Sequence, residues 1–354
     1  MSKFLSEKYK NLIPYVPGEQ PKEREYIKLN TNESPFPPSQ KAIDLAMEKF
    51  STLQLYPDPD CKDLTRAVAN KLGVKPENVI MTNGSDEVLN FAFMAYCDKN
   101  TKAIFPEISY GFYKVFAQIN NLPYEEIALK EDFSIDINDY LDKKGTIFIA
   151  NPNAPTGLSL SLSEIERLLS ADRERIVVID EAYVDFGGQS AVGLIDKYDN
   201  LLVTQTFSKS RSMAGARLGF GIASKEIIAD LNNIRYSLNP YNVNSLTACL
   251  GVGAIEDDAY FNENCQKIVE NREYLSAQLE SLGFTLTPSK TNFVFAKHPL
   301  IDGKTLYLKL KEKGVLVRHF DKDKIKEYNR ITIGSLEQMQ KLVEIVKEIL
   351  KELL

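Results

Sequence analysis

The stretch LLVTQTFSKSRSMAGARLGFGIA, residues 201–223, joins two apolar runs through a loop of mostly small residues. The runs LLVTQ (201–205) and LGFGIA (218–223) are short and apolar on both faces, as strands buried between two helix layers are. The loop carries one lysine, Lys209, and later an arginine, Arg217. Because α/β sheets bind ligands where their strands end, this stretch predicts a ligand site as well as a fold.

Four earlier runs repeat the strand pattern: VIMT (79–82), AIF (103–105), TIFIA (146–150) and RIVVID (175–180). Helical patterns separate them. Residues 85–96 have apolar side chains at helical spacing, and residues 161–170 begin with the capping box of Ser161 and Glu164. This alternation predicts an α/β architecture with a mainly parallel sheet.

The last third of the chain predicts a second unit. A long polar-faced helix over residues 256–282 leads to the runs NFVFA (292–296), TLYLKLKEKG (305–314), VLVRHF (315–320), NRITIG (329–334) and a final helix. We assign residues 30–262 to a large cofactor-binding domain. Residues 1–29 and 263–354 form a smaller α+β domain with an N-terminal arm.

Composition excludes several classes of protein. A net charge of −6 argues against a nucleic-acid binder or a protein of anionic membrane surfaces, since both need a basic face. The four cysteines form no CxxC pair and no histidine stands at metal-ligand spacing, so we expect reduced thiols and no metal. The start MSKFLSEKYK lacks an apolar signal region and no segment is apolar for 18 residues, so we expect a cytoplasmic protein.

Lys209 is the first candidate for chemistry. A lysine in a loop is usually a solvated charge, but one at the end of a buried strand loses its proton readily and can form a Schiff base with a carbonyl cofactor. Pyridoxal 5′-phosphate (PLP) is such a cofactor. Its ring nitrogen must stay protonated, and Asp180 at the end of RIVVID suits that task. Tyr183 is placed to reach the 3′-oxygen of the ring.

A cofactor phosphate also requires donors. Gly84, Ser85 and Asp86 begin a helix after the strand VIMT, so their backbone N–H groups and the helix dipole favour an anion. Arg217 offers a bidentate pair, and Thr206 and Ser208 offer hydroxyls. Taken singly, the helix start is explained by an ordinary N-cap and Arg217 by a solvated charge. Taken together, these residues predict one phosphate-binding cradle.

The motifs stand in a fixed order: KLNTNESPFPP (28–38), YPDPD (56–60), NGSDE (83–87), PNAPTG (152–157), DEAY (180–183), TFSKSRSMAGARLG (206–219) and GVLVRHF…NRITIG (314–334). In this order they closely resemble the histidinol-phosphate aminotransferases, which are fold type I, PLP-dependent enzymes. The resemblance covers about residues 28–335. It implies a large domain with a mainly parallel seven-stranded sheet and a smaller α+β domain. It also implies transamination between L-histidinol phosphate and 2-oxoglutarate, giving imidazole-acetol phosphate and glutamate, in histidine biosynthesis.

The resemblance assigns roles to individual residues. Lys209 bonds covalently to PLP, Asp180 pairs with the ring nitrogen, and Tyr183 binds the 3′-oxygen. The remaining positions contact the cofactor phosphate, the cofactor ring or the substrate. For the phosphate they are Gly84, Ser85, Asp86, Thr206, Ser208, Arg217 and, from a neighbouring subunit, Tyr56; Tyr110 stacks on the ring; Arg330, Arg318 and Asn32 contact the substrate. Arg330 would take the α-carboxylate of glutamate and Arg318 the phosphate of the amino alcohol. The site would thus be shared within a homodimer.

One position departs from the family pattern. In PNAPTG, Ala154 stands where most relatives have the asparagine that binds the 3′-oxygen. Either Asn153 takes that place or Tyr183 acts alone.

Three alternatives remain open at this point. An aromatic amino acid aminotransferase and a threonine-phosphate decarboxylase would use a nearly identical frame. A non-enzymatic α/β protein would bind no PLP.

Overall fold

The computed structural model describes residues 2–21 and 23–353. The strands in this part of the chain are β1 (Ile27–Lys28), β2 (Val79–Thr82), β3 (Ala103–Pro106), β4 (Tyr124–Ile127), β5 (Thr146–Ala150), β6 (Val177–Asp180), β7 (Leu201–Thr206), β8 (Gly219–Ala223), β9 (Thr285–Leu286), β10 (Phe293–Lys297), β11 (Val315–Leu316), β12 (Arg318–His319) and β13 (Asn329–Thr332). The α-helices are α1 (Gln40–Met47), α2 (Lys62–Leu72), α3 (Ser85–Tyr96), α4 (Phe112–Ile119), α5 (Asn138–Leu141), α6 (Leu162–Ala171), α7 (Lys225–Leu238), α8 (Ser245–Glu256), α9 (Asp258–Ser281), α10 (Gly303–Glu312) and α11 (Leu336–Leu353).

Seven strands form the large sheet, in the order β2-β8-β7-β6-β5-β3-β4. β8 runs antiparallel to both β2 and β7, and the other neighbours are parallel. The predicted α/β fold with a mainly parallel seven-stranded sheet is confirmed. The runs that predicted strands are fully buried because helices cover both faces of the sheet. On β6, Val177 and Ile179 belong to one hydrophobic cluster and Val178 to the other, so the side chains alternate between the two layers.

Strand β4 was not predicted. Its sequence, YEEI, has two adjacent glutamates and it lies at the edge of the sheet, beside β3. Salt bridges of Glu125 to Lys102 and Lys143 and of Glu126 to Lys114 keep these carboxylates at the surface. An edge strand of this kind needs no continuous apolar run.

The second unit contains a four-stranded antiparallel sheet in the order β12-β13-β10-β9. Helices α9, α10 and α11 contribute to its hydrophobic cluster, together with Leu29 from the N-terminal part of the chain. β1 pairs in parallel with β11 and so joins residues 27–28 to this unit. The run VLVRHF makes two short strands, β11 and β12, instead of one.

The long predicted helix over residues 256–282 corresponds to α9, which begins two residues later. Asp257 caps it by accepting a hydrogen bond from the backbone N–H of Tyr260, and α8 ends at the residue before this cap. The domain boundaries at residues 29/30 and 262/263 stay a prediction. Met1, Lys22 and Leu354, which belong to the predicted smaller domain, lie outside the described residues.

Within the described residues, no helix is long and apolar enough to cross a membrane. The same part of the chain contains no cluster of three or more histidine, cysteine or acidic side chains arranged to hold a metal ion. All four cysteines are free thiols.

Candidate active site

The carboxyl ends of β5, β6 and β7 meet at one edge of the large sheet. Ala150 is in register with Asp180, and Asp180 with Thr204. A cavity of about 320 Å³, here called the inner cavity, opens at this edge. It is lined by Thr31, Glu33, Ser85, Asp86, Tyr110, Ala150, Ala154, Asp180, Ala182, Tyr183, Thr206, Ser208, Lys209, Ala214, Gly215 and Arg217. Residues from five separate motifs of the sequence are thus brought together.

Lys209 lies in this cavity with its amine close to the Tyr183 ring. The Nζ atom donates a long hydrogen bond of 3.4 Å to the Thr31 carbonyl and lies 5.7 Å from the centroid of the Tyr183 ring. Burial, as the larger cause, and the nearby Arg330 together lower the pKa of Lys209 to about 8, while Glu33 and Asp86 act in the opposite direction. A sizeable fraction of the amine is therefore neutral, and nucleophilic, near neutral pH.

Asp180 lies at the end of β6 and is only 4% exposed. Its Oδ2 atom accepts a hydrogen bond of 3.1 Å from the Tyr113 hydroxyl. Its Oδ1 atom is buried and has no hydrogen-bond partner among the described residues. Burial raises the pKa of Asp180 to about 7, against a lowering by the Tyr113 hydrogen bond and, to a smaller extent, by the Ala182 backbone N–H and the Lys209 charge. A buried carboxylate oxygen without a donor is costly, so this atom points to a missing cation or N–H group.

The start of α3 and the Arg217 loop form a cradle. Gly84, the N-cap, has a φ of +80° and no side chain, and a Cβ on it would lie 2.7 Å from the Arg217 Nη2 atom. Arg217 pairs with the Asp86 carboxylate at 3.2 Å and lies 3.4 Å from the Ser208 hydroxyl. The Asp86 carboxylate also accepts a 2.7 Å hydrogen bond from the Tyr110 hydroxyl. The N–H groups of the first turn of α3 therefore suit an anion better than the Asp86 side chain does.

The backbone around the cavity adopts uncommon conformations. Arg217, Ser212 and Asn32 have positive φ angles of 54°, 58° and 56°. Such conformations cost free energy in residues with a Cβ and persist where the surrounding structure holds them, often at binding sites.

The phenol of Tyr183 contacts Asn32. The Asn32 Nδ2 atom donates a 2.9 Å hydrogen bond to the Tyr183 hydroxyl oxygen, and its Oδ1 atom accepts one of 3.0 Å from Thr332. This leaves the Tyr183 proton available for an acceptor in the cavity. The structure thus places Asn32, predicted to contact the substrate, directly behind Tyr183.

A second cavity of about 380 Å³, the outer cavity, adjoins the first and shares Thr31, Tyr110, Ala154, Tyr183 and Lys209 with it. Arg318 and Arg330 line it, and they face each other directly across β12 and β13. Among the described residues, no carboxylate forms a salt bridge with either guanidinium. Like charges at opposed strand positions repel, so this pair points to an anionic ligand.

The N-terminal segment closes one side of the outer cavity. Arg318 donates hydrogen bonds to the carbonyls of Val16 (3.0 Å) and Pro17 (3.2 Å). Tyr15 lines the cavity and stacks on Phe112 with ring centroids 4.4 Å apart. Sequence reasoning did not single out this segment, because nothing in its composition marks it.

Two of the predicted site residues lie elsewhere. Asn153 lines neither cavity. Its two amide hydrogens are donated to the Ile108 carbonyl and the Thr156 hydroxyl, both at 3.0 Å, and its Oδ1 atom accepts from Ser109. Ala154 lines both cavities in its place. Tyr56 is 81% exposed and stacks on Tyr241, away from the inner cavity of its own chain.

Glu33 and Tyr113 were not predicted. Glu33 lines the inner cavity and is held by Lys28 at 2.7 Å and by the Thr31 hydroxyl at 2.7 Å. Tyr113 lies behind Asp180. Tyr113 lies in the first turn of α4, and its backbone N–H donates to the Tyr110 carbonyl at 3.1 Å, so the turn before the helix brings it close to Tyr110.

These features fit PLP. The inner cavity presents an amine of lowered pKa, a carboxylate oxygen without a partner, a phenol with a free proton, and an anion cradle, and each matches one functional group of that cofactor.

Comparisons with known proteins agree with this geometry. A family model described as "Aminotransferase class I and II" matches residues 24–346. The histidinol-phosphate aminotransferase of Brachyspira hyodysenteriae is 49% identical over 353 residues, covering 99% of this chain and 100% of that protein. The corresponding protein of Clostridium beijerinckii is 46% identical, covering 99% and 98%.

Solved structures show the same fold. That of histidinol-phosphate aminotransferase from Clostridium acetobutylicum superposes with a TM-score of 0.85 at 24% identity, over 92% of this chain and 100% of the other. The Sinorhizobium meliloti enzyme, in complex with pyridoxal 5′-phosphate, also gives 0.85, at 21% identity and 92% coverage of both chains.

Proposed function

The chain belongs to the class I and II aminotransferases, and from this premise we propose that it transfers an amino group between L-histidinol phosphate and 2-oxoglutarate, a reaction of histidine biosynthesis. The products are imidazole-acetol phosphate and glutamate. The enzyme uses PLP as its cofactor.

When bound, PLP supplies an aldehyde that bonds to amines and a ring that withdraws electrons from the substrate Cα. Lys209 would hold the cofactor covalently between reactions. Once released by the incoming amine, its ε-amino group would take the proton from Cα, because burial lowers its pKa to about 8 and so makes the neutral amine far more abundant than in an exposed lysine.

Other residues would orient the cofactor. Asp180 would accept a hydrogen bond from the protonated ring nitrogen through its unpartnered Oδ1 atom. Tyr183 would donate its free proton to the 3′-oxygen, with Asn32 fixing the phenol. The phosphate would lie in the cradle formed by the start of α3 and Arg217, with further hydrogen bonds from Ser208 and Thr206.

The outer cavity would bind the substrates. Arg330 lies close to Lys209 and Tyr183, which suits an α-carboxylate next to the reacting carbon. Arg318 lies on the neighbouring strand, and Lys322 lines the same cavity, so a phosphate at the far end of the substrate would meet two cations.

A single observation carries this proposal: an amine of lowered pKa and a buried carboxylate with a free oxygen share one cavity, beside two arginines that lack carboxylate partners. The test is a spectral titration of the purified holoenzyme with glutamate. We expect a yellow protein whose visible absorbance falls as 2-oxoglutarate appears. A colourless protein, or one that glutamate leaves unchanged, would refute the proposal.

A comparison of amino donors tests the substrate. Histidinol phosphate should be used faster than phenylalanine, because Arg318 and Lys322 can bind its phosphate and phenylalanine has no anionic group at that end. A preference for phenylalanine would indicate the aromatic aminotransferase. Release of carbon dioxide without an oxoacid acceptor would indicate the decarboxylase.

We also infer a homodimer with shared sites. The region around Tyr56 exposes several large apolar side chains, which a monomer rarely does, namely Met47, Phe50, Leu53, Leu55 and Tyr241. A cavity of about 640 Å³, lined in part by Tyr56 and Cys249, lies in the same face. In such a dimer Tyr56 would reach the cofactor phosphate of the other subunit.

Subunit complementation tests this arrangement. The variants Lys209→Ala and Tyr56→Ala should each be impaired alone, whereas a heterodimer has one site with both residues intact. Random exchange of subunits should therefore restore about a quarter of the wild-type activity. Failure to regain activity in heterodimers isolated with two affinity tags would refute the shared site.

We place the reaction in the cytoplasm, because four free thiols suit a reducing compartment.

A further inference from the structure

Tyr113 is fully buried and lines neither cavity, yet its hydroxyl donates to Asp180 Oδ2 at 3.1 Å. Asp180 Oδ1 is the atom that lacks a partner, and Asp180 is one of the residues that line the inner cavity. The tyrosine therefore engages one carboxylate oxygen and leaves the other for the cofactor. It cannot touch substrate or cofactor itself.

The ring of Tyr113 is fixed from several sides. It packs edge-on against Tyr110, with centroids 5.8 Å apart and an interplanar angle of 87°, and lies near Phe105 and Phe148. Tyr110 in turn donates its hydroxyl to Asp86 at 2.7 Å. Tyr110, just before α4, and Tyr113, in its first turn, thus each hold one carboxylate of the inner cavity, and Tyr113 holds the more buried one.

The direction of this hydrogen bond matters for the chemistry. A donor to a carboxylate stabilises its ionised form, and it opposes the burial that favours the protonated acid. Without the Tyr113 hydroxyl, the proton between the cofactor ring nitrogen and Asp180 would move from the nitrogen to the carboxylate. The ring would then withdraw electrons less strongly from the substrate Cα.

We propose that Tyr113 is a positioning residue, which turns Asp180 toward the cofactor ring nitrogen and keeps the carboxylate ionised. This inference rests on the proposed function, since it takes PLP as the occupant of the inner cavity.

The chain provides a matched control. Tyr140 is also fully buried, but its hydroxyl has no hydrogen-bond partner among the described residues. The substitutions Tyr113→Phe and Tyr140→Phe remove the same atom from two equally buried rings. Only the first deprives Asp180 of a donor.

The experiment compares holoenzymes of both variants with wild type, reconstituted with ¹⁵N-labelled PLP. The ring-nitrogen NMR signal reports its protonation, and a single turnover with glutamate reports the rate. We expect Y113F to move the nitrogen signal toward that of a neutral pyridine and to slow the single turnover by about ten- to a hundredfold, as loss of a hydrogen bond to a charged group does. Y140F should leave the nitrogen signal unchanged and the rate within about twofold.

A second comparison excludes a general packing defect. In the background of Asp180→Asn, adding Y113F should change neither the nitrogen signal nor the rate, because the two residues act in one chain of contacts. The inference is overturned if Y113F holoenzyme behaves like Y140F, or if Y113F slows turnover equally with and without Asp180. If wild type binds PLP and transaminates, and Y113F does so equally well, the role of Tyr113 is refuted and the proposed function is not. A wild-type protein without bound PLP would refute the proposed function and this inference with it.

Discussion

Replacement of Arg318 by alanine should separate the two halves of the reaction. Arg318 and Arg330 are opposed on adjacent strands, and only Arg330 lies beside Lys209 and Tyr183. Removal of Arg318 should therefore weaken the binding of a distant phosphate and leave the α-carboxylate of glutamate in place. The guanidinium also donates to the carbonyls of Val16 and Pro17, but both contacts are exposed, so water can replace them.

The magnitude follows from the type of interaction that is lost. Hydrogen bonds to charged groups contribute about 1.5–3 kcal/mol, which corresponds to about a ten- to hundredfold loss in kcat/KM for histidinol phosphate. Stability should change little, because repulsion between opposed like charges, typically about 0.2–1 kcal/mol, is relieved as the exposed contacts are lost. Single-turnover absorbance changes measure each half-reaction separately, with glutamate or histidinol phosphate as the donor.

Arg24 supplies a matched control. It is also exposed, and it also donates to two backbone carbonyls, those of Lys311 and Glu312, but it lines neither cavity. Arg24→Ala should leave both half-reactions unchanged. Arg318→Lys, which keeps the charge without the planar fork, should fall between alanine and wild type. If Arg318→Ala slows the two half-reactions equally, Arg318 does not bind the substrate phosphate specifically.

Two further predictions concern the inner cavity. Lys209→Ala should abolish turnover and leave the protein folded, by circular dichroism and thermal melting; wild-type activity in this variant would refute the role of the lysine. Burial raises the pKa of Asp180 from 3.8 to about 7. Between these two pH values the folded apoprotein keeps a proton on Asp180 that the unfolded chain has released. The contribution of this proton to the free energy of unfolding is therefore full below pH 3.8 and is lost as the pH rises to about 7. Between pH 5 and 8 apo wild type should therefore lose about 3 kcal/mol more unfolding free energy than apo Asp180→Asn, by urea denaturation, and parallel curves would contradict the raised pKa.

The sequence predicted the buried centre of the fold better than its edges. Strands β5 and β6 are apolar on both faces, and nothing but a sheet covered by helices on both sides accounts for such runs. β4 was missed because an edge strand with adjacent glutamates lacks that pattern. The split of VLVRHF into β11 and β12 depends on two different partners: β1, from the beginning of the chain, and β13, which follows β12.

In the site, residues with direct chemical tasks were predictable, and those that support them were not. Lys209 and Asp180 follow buried strands, where a charged side chain requires an explanation. Tyr113, which was not predicted, acts through Asp180, and this contact depends on distances that only the folded chain defines. Asn32 was predicted as a substrate contact and lines the outer cavity, but its hydrogen bond to Tyr183 was not foreseen. The cofactor contact of Asn153 stays a prediction: its residue type suits one, but its amide hydrogens are donated to Ile108 and Thr156.

The site is a set of interactions that are unfavourable until ligands arrive. Asp180 buries an oxygen without a donor, Arg318 and Arg330 face each other without a carboxylate, and Arg217 holds a positive φ. Each of these lowers the stability of the apoprotein, and the first two are relieved by groups of the cofactor or substrate, a ring N–H and an anion. A ligand that binds only the folded state stabilises it. Relief of these unfavourable interactions therefore adds to the binding free energy of the ligand and fixes its orientation. The unpartnered carboxylate oxygen and the unpaired arginines, which make the apoprotein less stable, therefore also make the cavity selective for an anionic, nitrogen-containing ring.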